Sequence, residues 1–117
     1  MGQLNSFGAI FTFAIEMEGR VRDYYKAIGD SEKAEAAEER IEKLERSRRE
    51  NVLEITLEPI DGLSEEDYVL NLSDSSVAGQ KAVAQIAAKF YEDTAPKINV
   101  RQAQRSLERC GREHQDD

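Results

Sequence analysis

Cysteine and histidine occur once each in this 117-residue chain, and proline only twice. The lone thiol, Cys110, excludes an internal disulfide and points to a reducing, cytoplasmic compartment. Scarce proline suits helices. No apolar run approaches the roughly 20 residues that cross a bilayer, so no membrane partner is expected. The opening "MGQLNSFGAIFTFAIEMEGR" has no basic region before its apolar run, and Glu16 and Glu18 interrupt that run, so it reads as a mature helix and not a leader. Gly2 and Ser6 match a bare myristoylation pattern, which no basic cluster or second anchor supports. Basic residues number 16 against 24 acidic ones, and the net charge of −8 argues against nucleic acid as the main partner. No glycine-rich phosphate loop, dinucleotide fingerprint or triad-like arrangement is present, so nucleophilic catalysis has nothing to stand on.

What the chain does have is helical periodicity. Hydrophobic residues make up 39%, too many for disorder in a chain sized for one domain. Apolar side chains recur at helical spacing in four stretches. The first runs from Asn5 to Gly29 with Phe7, Phe11, Ala14, Val21, Tyr25 and Ile28 on one stripe, Asn5 or Ser6 as its cap and Gly29 as its stop. The second runs from Ser31 to Ile55, with a stripe of Ala34, Ala37, Ile41, Leu44, Arg48, Asn51 and Ile55, and Asp30 or Ser31 as its cap. The third, Ser75 to Ala95, carries Val83, Ile86, Ala87 and Phe90 and ends at Pro96. The fourth, Asn99 to Glu113, carries Val100, Ala103, Leu107, Cys110 and His114.

Short turns, "GDS" and "PKIN", make two antiparallel hairpins, 5–55 and 75–114, within a single domain spanning residues 1–117. The connection 56–74 is long enough to cross a bundle from end to end, docked by Ile60, Leu63, Tyr68 and Leu70, and its "EDYVLNL" has the look of a short strand. "LERSRREN" (44–51) and "LERCGREH" (107–114) share five of eight positions and end the second helix of each hairpin. Either the hairpins are related about a pseudo-two-fold axis, or two helices rich in Arg and Glu coincide by chance.

Two hairpins and a long crossover resemble the ferritin-like fold, and "AIEMEGRVRDYY" with "IEKLERSRREN" is similar to its rubrerythrin-type branch. The resemblance implies an all-α four-helix bundle with an inward metal-binding Glu seven residues before a Tyr (Glu18 and Tyr25) and a Glu-x-x-His pair closing the second helix. Lined up on Leu44, that pair becomes Arg48 and Asn51. Lined up on Tyr91 and Leu107, the second hairpin offers Ala84 for the Glu, and Gly111 and His114 for the pair. Only Glu18 and His114 keep a ligating side chain, whereas a di-iron site needs about six donors, mostly carboxylates. No cofactor is therefore expected within one chain. Arg48 is expected to occupy the emptied position and pair with Glu18, with Tyr25, Tyr91 or Asn51 taking the remaining hydrogen bonds and Ala84 and Gly111 leaving room.

Duller readings stand beside these. His114 near the C-terminus suits a frayed, solvated side chain, and Cys110 a small buried hydrophobe. "ERSRRE", flanked by Glu39, Glu42, Glu45 and Glu50, reads as i, i+4 ion pairs on a solvated face, as does "DSEKAEAAEERIEK". Glu65, Glu66 and Asp67 form a solvated acidic loop. Phe7, Phe11 and Phe13 point in more than one direction around their helix, so a homodimer interface is expected to cover some of them. Two functions follow. One is a non-catalytic protein acting through self-association or a protein partner. The other binds iron or another divalent metal, with a site that Glu16, Glu18, Glu50, Glu113 or His114 from two subunits complete.

Overall fold

Ser6 starts the first helix: its hydroxyl accepts from the Ala9 N–H at 3.1 Å, satisfying one donor that the helix itself leaves open. In the computed structural model, which describes residues 4, 6–50, 62–98 and 100–116, helix α1 then runs Phe7–Ile28. It stops at Gly29, whose φ of 91° places the chain in the left-handed region that glycine tolerates best. Asp30 accepts from the Lys33 N–H as α2 (Ser31–Glu50) begins. Helix α3 (Val77–Thr94) is capped by Ser76, and α4 (Arg101–Gln115) follows a short 3₁₀ turn, Ala95–Lys97, that holds Pro96. All of this agrees with the sequence reading, apart from Asn5, residues 51–55 and Asn99, which lie outside the described residues.

The packing partners are α1 with α2, α3 with α4, α2 with α4, and α1 with α3. Cross-helix bonds fix their directions. On α1 and α2, Arg22 meets Glu38 and Thr12 meets Arg48, so the helices are antiparallel. On α2 and α4, Arg40 meets Glu113 and Ser47 meets Ser106, again antiparallel. The protein is thus an all-α bundle of four helices, with no strand among the described residues. None of the described helices is long and apolar enough to cross a membrane.

Of the strand expected in "EDYVLNL", Glu66–Tyr68 belong instead to a 3₁₀ turn, Glu65–Tyr68, that Ser64 caps, and Val69–Leu72 form no strand. A lone extended segment has no edge to pair with in an all-helical surround, and the backbone curls to bond itself. Tyr68 is the anchor: it is buried, its ring 6.4 Å from Phe13 and 5.3 Å from Phe90, and its hydroxyl donates to Asp93 at 2.7 Å. Leu63 and Leu70 are partly buried against the core, while Ile60 lies outside the described residues.

Helix α1 is buried on two faces. Ile10, Phe13, Met17 and Tyr24 are buried beside the expected stripe, so Phe7, Phe11 and Phe13 are at most 8% exposed. The aromatic ground for a homodimer interface is therefore removed: all three rings are buried within one chain, Phe7 stacked on Phe11 at 4.6 Å and Phe13 packed on Tyr68 and on Phe90 of α3. The charged run on α2 differs too. Among the described residues, Arg46, Arg48 and Arg49 have no carboxylate within 4.0 Å, so the expected i, i+4 pairs are not formed.

Candidate functional site

Glu18 is placed at the centre of the bundle by the helical stripe of α1 and has no exposed surface. A carboxylate there, stripped of water, is costly unless its oxygens find donors. They find three. Oε1 accepts from Arg40 Nε at 2.8 Å; Oε2 accepts from the Tyr91 hydroxyl at 2.6 Å and lies 2.8 Å from His114 Nε2. The donors come from α2, α3 and α4, so one side chain ties the four helices together.

Burial alone would raise the Glu18 carboxyl, but His114, Arg40 and Tyr91 outweigh it and hold the group below its ordinary value. An ionised carboxylate only accepts, so His114 presents a proton at Nε2. Burial, and then the negative charge of Glu18, raise the Tyr91 hydroxyl far above its ordinary value and keep it a donor. The Arg40 guanidinium is also buried; its desolvation works against the charge, and Glu18 more than restores it. Its Nη1 continues outward to Glu113 at 3.1 Å, and Lys43 lies 3.9 Å beyond. Charges of alternating sign thus run from core to surface.

The guanidinium beside Glu18 is not the expected one. Arg48 is half-buried and reaches Thr12 at 3.4 Å, near the far end of α1. The hairpin explains this: folding the chain back at Gly29–Asp30 brings residues equidistant from the turn together, and Arg40 faces Glu18 just as Arg48 faces Thr12. That symmetry was legible in the sequence. The pairing of Arg40 with Glu18 was hidden because Ile41 made 34–37–41–44–48 the more apolar of two stripes, while Ala37, Arg40, Leu44 and Ser47 form an equally helical one, and all four are buried.

Of the other expected residues, Tyr91 takes a Glu18 hydrogen bond, as anticipated. Tyr25 is buried with Lys33 Nζ 5.3 Å from its ring centre, and Asn51 lies outside the described residues. His114 is only 2% exposed and stacks on Tyr91 with ring centres 5.9 Å apart, so it is neither frayed nor solvated. Ala84 and His114 line one groove of about 380 Å³ between α3 and α4. Gly111 has a different use from making room for arginine: a Cβ there would come within 2.9 Å of Tyr91 Cβ, so its missing side chain lets α4 close onto α3. Cys110 is a buried filler, its thiol pushed up to about 12 by burial and then by Glu18.

Among the described residues no three or more His, Cys, Asp or Glu gather as a metal-holding group. Glu18 and His114 are adjacent but bonded to each other, and a buried guanidinium occupies the flank where a second cation would be repelled by several kcal/mol at about 4 Å, even at an effective dielectric of 20. The donor set does not fit a di-iron centre. No family model matches the chain, and no curated protein or solved structure matches it.

Proposed function

We propose that this protein is a non-catalytic, ferritin-like bundle in which the chain's own side chains fill the position of a metal site, and that it acts by associating with itself or with a protein partner. The observation that carries the reading is the saturation of Glu18: both oxygens are engaged by Arg40, Tyr91 and His114. A guanidinium supplies the positive charge that an inward carboxylate requires. The ferritin-like topology is supported by the course of the chain. Helix α2 passes Thr12 near its end, whereas Tyr24, at the opposite end of α1, donates to the Asp74 carbonyl at 2.6 Å just before α3. These contacts support a connection that traverses the bundle, as do the bonds from Leu4 to Leu63 and from Tyr68 to Asp93 in its described part.

Elemental analysis of protein purified without chelator tests this reading. Iron, zinc and manganese should be substoichiometric in the wild type. Stoichiometric metal that disappears in His114→Ala would overturn the proposal. In its place would stand the metal-binding or oxidoreductase alternative, with a site completed at a subunit interface.

A further inference from the structure

A groove of about 620 Å³ runs between α2 and α4, and its walls carry Lys43 and Arg46 from one helix and Arg105, Arg109 and Arg112 from the other. Among the described residues Glu108 is the only acid lining it. The chain as a whole has 24 acids to 16 bases, so this concentration of positive charge runs against the composition. Lys43 touches Glu113 at 3.9 Å, but among the described residues none of the four arginines, nor Glu108, has an oppositely charged group within 4.0 Å. Arg105 and Arg109 stand one turn apart, where like charges weaken a helix unless an anion joins them. Ser47 and Ser106, 2.6 Å apart, add hydroxyls to the lining.

What such a groove takes follows from what it lacks. Among the described residues no apolar or aromatic side chain lines it, so nothing there would bury an acyl chain, a nucleobase or an apolar peptide side chain. A long polyanion would meet the field of a molecule carrying −8. Guanidinium forks converging from two walls match a compact ligand with several oxyanions close together. We propose that the α2–α4 groove binds a short oligophosphate, free or as the phosphate chain of a nucleotide, read through its phosphates alone. The core network reaches this groove at Lys43, through Glu113, whereas Arg105 and Arg109 on α4 take no part in the described ion pairs around Glu18.

The test is titration of the full chain with sodium tripolyphosphate and, separately, ATP, followed by amide chemical shifts at low and at physiological ionic strength. Both ligands should shift residues of the groove, with similar affinity, and added salt should weaken both. The double variant Arg105→Gln/Arg109→Gln, at two exposed positions, should weaken binding at least about tenfold, while Lys81→Gln/Lys89→Gln on α3 removes equal charge and should leave it within about twofold. Circular dichroism would establish that both variants keep their helices. The proposal is overturned if tripolyphosphate shifts nothing at low salt, if both double variants lose affinity equally, or if ATP binds about tenfold more tightly than tripolyphosphate.

Discussion

Glu18 and Arg40 illustrate how little an isolated residue's polarity says about its place. Each is charged, each is at most 2% exposed, and each is tolerable only because of the other. Arg40→Met should therefore strand the carboxylate and cost about 3–5 kcal/mol in urea unfolding, while Glu18→Gln/Arg40→Met should recover most of that loss because no charge is left unpaired. Arg48→Ala, by contrast, should fall within about 0.5 kcal/mol of wild type, since its one described bond is a 3.4 Å contact with Thr12. Equal losses for Arg40→Met and Arg48→Ala would contradict the geometry. The pH dependence has a definite sign. Glu18 is lowered in the folded chain, so its contribution is present above its ordinary value of 4.5 and is lost as pH falls through the folded value. The stability advantage of wild type over Glu18→Gln should shrink below that pH, by at most about 1.4 kcal/mol per unit. Tyr91 is raised, so its share holds below its ordinary value of 10.0 and is lost as pH climbs beyond it, a fall that Tyr91→Phe should abolish.

At the scale of the helix, glycines in similar settings have opposite roles. A Cβ at Gly8 of α1 would meet nothing within 4 Å, whereas one at Gly111 of α4 would press on Tyr91 Cβ at 2.9 Å. Gly8→Ala should stabilise by up to about 1 kcal/mol through helix propensity alone. Gly111→Ala gains the same propensity yet should be net destabilising, because the contact is with a backbone-proximal atom that moves only with its helix. Thermal unfolding of the two variants decides the matter, and a stabilised Gly111→Ala would refute the close approach. Apart from the C-terminal end of α2, which lies outside the described residues, helix ends were legible in the sequence to within about two residues, through Ser6, Gly29 and Pro96, because caps and stops act locally. Most of the buried face of α4 was legible: Val100, Ala103, Leu107 and Cys110 are buried as their spacing implies, and His114, on the same stripe, is buried where a solvated side chain was the duller expectation. The face of α2 was less so. Ile41 makes one of its two adjacent stripes the more apolar, and tertiary pairing with Glu18, which no local pattern records, buries Arg40 on the other as well.

For the whole molecule, the four-helix bundle could be read from two short turns and one long connection, but how much of the first helix would be covered could not. Burial of Phe13 depends on Phe90 of α3 and on Tyr68, both arriving from far along the chain. This same remoteness has a consequence in time. Glu18 lies 22 residues from Arg40, 73 from Tyr91 and 96 from His114, so the last two contacts close only after both hairpins exist and dock. Contacts within a hairpin close short loops and suit an early, locally built nucleus. The core carboxylate would then be a late-closing latch: a mutation that removes Tyr91 or His114 should leave the refolding limb of a chevron nearly unchanged and steepen escape from the native state, raising the unfolding rate by almost the whole loss in stability. Stopped-flow unfolding of Tyr91→Phe, with the refolding rate as control, would distinguish a latch from a nucleus. On this view the charge at the centre governs how long the bundle stays shut more than how quickly it assembles.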